Sequence, residues 1–259
     1  MPLADIVIRE CVTVDELDSC VRLQREVFGL PDLEVSPRRH LIVSRQAGGW
    51  TLGAFLDDRL VGFVHHLAAI RGAEIFGYSH MMAVDPDFQN KGVGARLKWS
   101  QRDRAIQEGR NFIKWTWDPM QARNAHFNLN RLGATVGNYA VNFYGTGYPS
   151  PLPLKVDPDG IDSDRLFASW QLESPRVVSL ANGSPAAELV QVKPAAMIEI
   201  PTNWSKLCRE STGHARQEQL RVRSEFQQAF AAGLVAAGFE RSSEQPRYLL
   251  YPEEVLRSV

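Results

Sequence analysis

The most informative residues are two glycines, Gly92 and Gly94, placed where a predicted strand passes into a predicted helix. Backbone N–H groups converge at a helix N-terminus, the helix dipole favours an anion there, and glycines leave room for it. Neither G-x-x-x-x-G-K-[ST] nor G-x-G-x-x-G is present, which argues against an ATP or dinucleotide site. The spacing predicts a turn that holds a pyrophosphate group. The alternative is a glycine-rich helix start without a ligand.

Residues able to act as acids follow the next predicted strand. Asp118 ends that strand at its C-terminal edge, where open sheets place ligand-binding groups, although an Asp beside a Pro also commonly caps a helix. Tyr139 and Tyr144 lie in the following strand-like run, but most tyrosines simply bury the ring and pair the hydroxyl. Each of the three is therefore a candidate site residue with a structural alternative.

Two further pairs have side chains that suit a binding pocket. Trp115 and Trp117 share one strand face and could wall a pocket for an apolar group, with core packing as the alternative. Asp164 and Arg165 could give a substrate a polar contact, and a surface ion pair explains them equally well.

The side chains that commonly bind metals are spread along the chain. His65 and His66 are adjacent, so they point to opposite sides of their strand and cannot bind one ion together; we expect one of them at the surface. Cys11, Cys20 and Cys208 are too few and too scattered for a disulfide framework or a metal cluster. We therefore predict no metal and a reducing, cytoplasmic location.

Hydrophobic period and turn residues place the glycine turn in a region of mixed strands and helices. Thr13 or Asp15 is positioned to cap a first helix. The predicted order is β-α-α-β-β-β-α-β-α-β, with strands at residues 6–9, 50–56, 60–69, 76–84 and 112–117, a sixth, strand-like run that holds Tyr139 and Tyr144, and helices at 15–28, 38–46, 92–108 and 121–132. An antiparallel meander followed by one parallel step gives a mixed sheet, which splays where the pairing changes.

The rest of the chain reads as an addition to this region. Prolines cluster between Tyr148 and Gly160, so we expect a first domain at residues 1–148 and a C-terminal α+β extension at 149–259. The extension is predicted to contain strands at residues 166–172, 176–180, 197–200, 235–240 and 248–251 and a helix at 217–232. The predicted fold class is α/β, with an α+β mixed sheet.

Composition narrows the class of partner. Twenty-nine basic and thirty acidic residues give a net charge of −1, so no strong field recruits nucleic acid or an anionic membrane surface. A small-molecule partner is the better expectation, and a homodimer stays open. Residues 1–10 lack a basic region followed by an apolar stretch, and no run of eighteen apolar residues occurs, so we expect neither export nor membrane insertion.

The turn Gln89-Asn90-Lys91-Gly92-Val93-Gly94-Ala95 resembles the Q/R-x-x-G-x-G/A motif of GNAT acetyltransferases. The strand before it resembles the central strand of that family, and the element order from Ile6 to Tyr144 is similar to the family fold with its splayed central strands. The wider sequence resembles a group of this length within the family, known as predicted acetyltransferases, at Trp115-Thr116-Trp117-Asp118-Pro119, Arg123-Asn124-Ala125 and Asp164-Arg165-Leu166. No acceptor substrate follows from that likeness.

The resemblance implies that acetyl-CoA or coenzyme A binds at this turn as the co-substrate. The amides from Asn90 to Ala95 would hold the pyrophosphate, with Gln89 and Lys91 near the phosphates. Backbone of the central strand would pair with the pantetheine arm like an added strand, and Asn124 would hydrogen-bond the cofactor unless it is simply solvated. The implied cofactor-binding residues are Met82, Ala83, Val84, Gln89, Asn90, Lys91, Gly92, Val93, Gly94, Ala95 and Asn124.

The catalytic pattern departs from the family. Where members often carry a carboxylate on the central strand, this chain has Tyr78, and alternation puts His80 on the same face. An imidazole titrates near neutrality, so His80 is the preferred base, with a hydrogen-bonded strand histidine as the alternative. Leu129 replaces the family tyrosine and cannot donate a proton. The catalytic candidates are therefore His80, Tyr78, Tyr144 and Asp118.

The implied function is an acyl-CoA-dependent N-acyltransferase, most simply one using acetyl-CoA, in which the amine of a small molecule attacks the thioester directly. No cysteine lies near the motif, which argues against an acyl-enzyme. The missing tyrosine leaves open a CoA-binding sensor without turnover. An aminoacyl-tRNA-dependent transferase on a related fold would need a basic RNA-binding face, against which the charge balance argues.

Overall fold

A computed structural model of the protein describes residues 5–146, 160–184 and 192–257. The chain separates into two compact units, Met1–Lys114 (unit 1) and Trp115–Val259 (unit 2). The domain boundary expected between residues 148 and 149 lies outside the described residues and stays a prediction.

Unit 1 contains the first eight elements of the predicted succession. Its strands are β1 (Ile6–Glu10), β2 (Trp50–Leu56), β3 (Arg59–Arg71), β4 (Glu74–Val84) and β5 (Phe112–Trp117), the last of which continues past Lys114; its helices are α1 (Val14–Phe28), α2 (Arg38–Gln46) and α3 (Val93–Gln107). The bounds differ from those predicted by only a few residues at each end. The mixed α/β fold class is confirmed.

Local capping explains where α1 begins and ends. Of the two predicted caps, Thr13 is the one used: its hydroxyl accepts from the Glu16 amide, while the Glu16 carboxylate accepts from the Thr13 amide. Asp15 lies in the first turn, where a negative charge suits the helix dipole. Gly29 stops the helix in the left-handed conformation at φ 61°.

The strands of unit 1 form a sheet in the order β1-β2-β3-β4-β5. Neighbours from β1 to β4 are antiparallel, and β4 pairs with β5 in parallel through Gly77 with Ile113 and Tyr78 with Lys114. Between β3 and β4 the register shifts, because His65 pairs with Met81 but His66 pairs with Ser79. The residue left over, His80, is therefore the extra residue of a β-bulge.

Apolar residues cover both faces of this sheet. On one face α1 and α2 pack over a cluster formed by Cys11, Leu17, Cys20, Leu23, Leu41, Phe55, Phe63 and Ala83. On the other face α3 packs over a cluster formed by Ile6, Trp50, Leu52, Ala54, Val61, Val64, Val93 and Leu97. The burial of both faces fixes α3 against the end of β4, where the glycine turn lies.

Unit 2 begins within β5 and continues as helices and strands of its own. They are α4 (Ala122–His126), which runs into a π-helical turn (Phe127–Arg131), β6 (Thr135–Ala140), β7 (Arg165–Gln171), α5 (Pro175–Ala181), β8 (Ala196–Glu199), α6 (Trp204–Glu210), α7 (Thr212–Ala231), β9 (Leu234–Glu240), β10 (Arg247–Pro252) and α8 (Glu253–Arg257). Its strands follow the order β7-β6-β9-β10-β8. No helix among the described residues is both long enough and apolar enough to cross a bilayer.

One predicted strand of unit 2 is wrong. The run Arg176 to Leu180 is helix α5, because the Ser174 hydroxyl accepts from the Val177 amide and Pro175 opens the first turn. Helix α7 begins at Thr212 rather than residue 217, and the short helices α6 and α8 were not predicted. The strand pair β9 and β10 is confirmed.

Candidate active site

A tightly bonded turn connects β4 to α3. The Asp85 carboxylate accepts from the Asp87 amide at 2.9 Å and pairs with Arg59 at 2.5 Å, which fixes the first bend. Beyond it, the Gln89 side-chain amide donates to the Val84 carbonyl at 2.9 Å. The turn is therefore bonded back onto the end of the strand.

The second half of the turn is shaped by two left-handed residues. Asn90 has φ 59° and Gly92 has φ 86°, and the regular helix starts at Val93. Gly92 takes the N-cap position, which has no side-chain capping bond, and a Cβ built on it meets nothing within 4 Å. The first amides of α3 have no carbonyl of a preceding helical turn to bond, so they are available to a ligand.

Gly94 gives this helix start a close neighbour. A Cβ added there would lie 3.4 Å from Met82 Cε and 3.8 Å from Val84 Cγ2. The first turn of α3 therefore packs on the last residues of β4. Within the described part of unit 1, the stretch Ser79 to Val84 has β3 on one side and no strand on the other. That side leaves backbone groups for an added strand.

The other residues predicted to bind the coenzyme differ in how far they are exposed to solvent. Ala83 is buried, whereas Met82 and Val84 are half-buried. Lys91 is exposed, with its ammonium 5.7 Å from the Phe88 ring centre, and Asn124 is exposed on α4 of unit 2. The Gln89 bond to Val84 gives that residue a structural task in the turn. Contact of all these residues with a coenzyme stays a prediction.

The bulge in β4 presents His80 to the face covered by α1 and α2. Its Nε2 lies 3.1 Å from the hydroxyl of Ser36, in the loop between those helices. Ser79 points to the opposite face, where its hydroxyl bonds Lys98 of α3 at 3.1 Å. By strand alternation Tyr78 shares the face of His80, as the sequence predicts.

Two more histidines surround His80, and the sequence did not single out His40. The ring of His80 lies 5.6 Å from that of His40 and 6.0 Å from that of His65, and His40 and His65 are 5.4 Å apart. Desolvation, with a smaller contribution from His40, lowers the pKa of His80 to about 4. His80 is therefore neutral at pH 7 and has a lone pair to accept a proton.

Ser36 is itself held by a buried glutamine of α1. The Gln24 carbonyl accepts from the Ser36 amide at 2.9 Å, and the Gln24 amide donates to the Ser36 carbonyl at 3.2 Å. Gln24 is completely buried. Neither residue belongs to a recognisable sequence motif, so only the tertiary structure reveals them.

The expectation that His65 or His66 reaches the surface is wrong, because both are fully buried. His65 bonds the hydroxyls of Ser44 and Thr51 under α2, and burial lowers its pKa to about 3. His66 lies under α3, stacked on Trp50 at 4.1 Å. Helices cover both faces of the sheet, so neither side of β3 is exposed at this point.

A second buried polar group lies beneath α3. Lys98 is buried and donates to Gln101 Oε1 at 2.6 Å as well as to Ser79. Gln101 in turn contacts His66 Nδ1 at 3.3 Å. Burial holds the pKa of Lys98 well below its usual value, and it lowers the pKa of His66 to about 2.

The acid candidates of unit 2 serve other contacts. Asp118 accepts from the Met120 amide at 2.8 Å and from the Gln121 side chain at 3.3 Å, so it caps the turn before α4. Burial raises the pKa of Asp118. The Tyr144 hydroxyl is exposed and lies 3.4 Å from Thr116 Oγ1, with the Arg165 guanidinium 5.0 Å from the Tyr144 ring centre.

The pocket candidates of unit 2 are packed in its core. Trp115 and Trp117 are buried; Trp115 meets Trp170 edge to face, and Trp117 donates to Tyr248 at 3.2 Å. Their predicted role as a pocket wall has no support from these contacts. Core packing accounts for both rings.

The surface ion pair considered for Asp164 and Arg165 is wrong. Asp164 is buried and pairs with Arg223 instead, at 2.9 Å, while accepting from the Tyr139 hydroxyl at 2.6 Å. Desolvation raises the pKa of Tyr139, so this tyrosine is a poor proton donor. Arg223 lies far along the chain, and the sequence gives no sign of the pairing. No group of three or more His, Cys, Asp or Glu residues in the described segments could hold a metal ion.

Comparisons with known proteins agree with this geometry. Residues 17–133 match the model of the acetyltransferase (GNAT) family. Among solved structures, the ribosomal-protein-S18-alanine N-acetyltransferase of Escherichia coli superposes with a TM-score of 0.51 at 15% identity, over 65% of this chain and 95% of its own. A GNAT-family protein of Desulfovibrio desulfuricans gives 0.51 at 17% identity, over 64% and 99%. No match to the chain was found among curated proteins.

Proposed function

Residues 17–133 form an acetyltransferase domain of the GNAT family, and from this premise we propose that the protein transfers an acetyl group from acetyl-CoA to a small-molecule amine. The co-substrate would bind at the turn between β4 and α3. The amine would attack the thioester directly, without an acyl-enzyme.

The observation that carries this proposal is the uncapped start of α3. Three conditions for holding a pyrophosphate meet there: amides without intrahelical partners, the positive end of the helix dipole, and open space in front of Gly92. A side chain that capped the helix would occupy the same amides. The free edge of β4 within unit 1 supports an extended pantetheine arm along Met82 to Val84.

Starting from an ammonium group, the nitrogen must lose two protons, and the sulfur must gain one. An ammonium group cannot attack, so His80 takes its proton directly or through a water molecule. The neutral nitrogen then bonds to the thioester carbon, the nitrogen loses its second proton, the carbon–sulfur bond breaks, and the thiolate of CoA takes up a proton. A His80 with a pKa of about 4 is a weak base, so it suits amines whose own pKa is lowered on binding.

This chain lacks the tyrosine that often donates the proton to the CoA sulfur in the family. Leu129, at the position of the family tyrosine, is fully buried and has no proton to give. Tyr144, the donor predicted from the sequence, lies in unit 2, and its part in this step stays a prediction. Solvent is sufficient in its absence, because a thiolate leaving group has a pKa far below that of an alkoxide and needs little assistance.

Binding of the co-substrate is tested by calorimetry with CoA on a matched pair of variants. Gly92→Ala adds a Cβ at the N-cap of α3, and Gly72→Ala adds one in the β3–β4 hairpin, where φ is also positive, at 62°, and space is also open. Alanine at either position strains the backbone to a similar extent, because both glycines have a positive φ. We expect CoA affinity to fall about tenfold or more in Gly92→Ala alone; equal affinity in both variants contradicts the proposed site.

Turnover is tested by thiol release from acetyl-CoA over a panel of amino acids, polyamines and peptides. Peptides are included because the E. coli enzyme of similar fold is named for a protein alanine acceptor. Release that depends on an amine supports the transferase. Leu129 favours one competing function, a CoA-binding sensor without turnover; tight CoA binding with no acceptor-dependent release across the panel supports that sensor.

A further inference from the structure

We propose that Gln24 and Ser36 are positioning residues that hold His80 in the tautomer whose Nδ1 is able to accept a proton. This inference rests on the proposed role of His80 as the base. It assigns a task to a buried glutamine and a loop serine that no sequence motif marks.

The contacts form a chain from the core of α1 to the bulge of β4. Gln24 is completely buried, and a buried amide must pair both its donor and its acceptor. The side-chain carbonyl and amide nitrogen of Gln24 both bond the backbone of Ser36, at 2.9 and 3.2 Å. These two hydrogen bonds fix the Ser36 backbone. The Ser36 hydroxyl then lies 3.1 Å from Nε2 of His80.

The distance of 3.1 Å fits either direction of the Ser36 to His80 hydrogen bond, and the proposed role of His80 as the base selects one of them. If the hydroxyl donates to Nε2, the proton of the neutral ring is on Nδ1, and that nitrogen cannot act as a base. If the hydroxyl accepts from Nε2–H, Nδ1 keeps its lone pair. Only the accepting arrangement survives when Nδ1 takes a proton, because both ring nitrogens are then donors.

The surroundings of His80 leave Nδ1 for the substrate. Among the described residues, the hydrogen bond of the His80 ring is the one to Ser36. The titratable groups facing it are His40 on α2 and His65 on β3. Both nitrogens of His65 are used on Ser44 and Thr51, and Nε2 of His40 has no hydrogen-bond partner in the described segments. Neither imidazole replaces the hydroxyl of Ser36 as a partner of Nε2.

The bulge explains why this ring needs an external support. In a regular strand, the pairing with β3 and the neighbouring side chains limit the orientation of a side chain. His80 is the unpaired residue of the bulge, so no residue of β3 pairs with it, and the ring of His65 on β3 lies 6.0 Å from its ring without a hydrogen bond between them. The loop between α1 and α2 provides the missing constraint through Ser36.

The test is nuclear magnetic resonance of protein labelled with ¹⁵N-histidine, in which the two ring nitrogens report the tautomer directly. The His80 signals are assigned by their loss in His80→Gln. Ser36→Ala removes the hydroxyl, Gln24→Met removes the clamp at similar volume, and Ser36→Thr keeps a hydroxyl. Ser44→Ala is the matched control, because that hydroxyl contacts His65 in the same cluster.

We expect the Nε2–H tautomer in the unmodified protein, Ser36→Thr and Ser44→Ala, and a mixture with more Nδ1–H in Ser36→Ala and Gln24→Met. The kcat/KM of acetyl transfer should fall about five- to tenfold in the latter two, with a changed pH profile. An Nδ1–H ring in the unmodified protein, or unchanged tautomers in Ser36→Ala, overturns the inference. If Gln24→Met fails to fold, Ser36→Ala decides alone. Absence of CoA binding to the unmodified protein would refute the proposed function and leave the tautomer result standing.

Discussion

The side chain of Gln89 turns back from the glycine turn and donates to the carbonyl of Val84, 2.9 Å away. This single bond joins the end of the central strand to the start of the loop that leads into α3. The amides of that loop can present a fixed pattern to an anion only if the loop itself is fixed. We therefore interpret Gln89 as a residue that shapes the turn.

Gln89→Ala is expected to weaken CoA binding about fivefold, because the loss of one hydrogen bond of ~1 kcal/mol makes the turn more flexible before binding. Calorimetry measures this. Gln46→Ala, at the exposed end of α2, is the control and should bind as the unmodified protein does. Equal affinities in the two variants would show that the Val84 bond plays no part in the site.

His80→Gln is expected to lower kcat about 100-fold with the best acceptor of the amine panel, the usual contribution of a positioned base. CoA affinity should change less than about twofold, because the proposed pyrophosphate site lies at another part of unit 1. His214→Gln, exposed near the start of α7, serves as the control. A kcat within a factor of about three of the unmodified protein would point to a water molecule as the only base.

Gly77→Ala is expected to destabilise the protein by about 1–3 kcal/mol, because the new Cβ would overlap the ring of buried His66. Urea unfolding measures the effect. Gly213→Ala, where a Cβ meets nothing within 4 Å, should not destabilise. Combining Gly77→Ala with His66→Ala should cost less than the sum of the single changes, and additive costs would rule out this steric explanation.

Buried His66 is expected to make stability fall in mild acid. Its folded pKa of about 2 lies below the value of about 6.5 in an unfolded chain, so below pH 6.5 the unfolded state binds the extra proton. Stability is present above pH 6.5 and is lost on acidification, by about 2 kcal/mol between pH 7 and pH 5. His66→Gln should flatten the slope of unfolding free energy against pH, and exposed His214→Gln should not; identical slopes would show that His66 does not drive it.

The sequence predicts the structural features that are determined by residues close together in the chain. Thr13 or Asp15 marks the start of α1, and Gly92 after a strand-like run marks the start of α3. Both are local signals, because capping and left-handed glycines act within one helical turn. The order of elements in unit 1 follows from such signals and from hydrophobic period.

Features that depend on contacts between residues distant in the chain could not be predicted from the sequence. His80 is preferred as a base from alternation alone, but the bulge that frees it arises from the register against β3. His65 and His66 are both buried because helices cover both faces, and Asp164 is buried because Arg223 neutralises it. None of these partners lies close in sequence, so no local pattern encodes them.

The Arg176 to Leu180 run shows a different limit. Its β-branched valines favour a strand, yet Ser174 and Pro175 form a helix start that outweighs that weak preference. Here the local signal was present and pointed to the observed structure.

The most direct test of the proposed coenzyme site is to follow the backbone amides by ¹H–¹⁵N correlation spectra while CoA or pantetheine is added. Pantetheine has the same arm but no pyrophosphate. We expect large shifts of the Asn90 to Ala95 amides with CoA and small ones with pantetheine. Unchanged amides at Asn90 to Ala95 in protein saturated with CoA would contradict the proposed site.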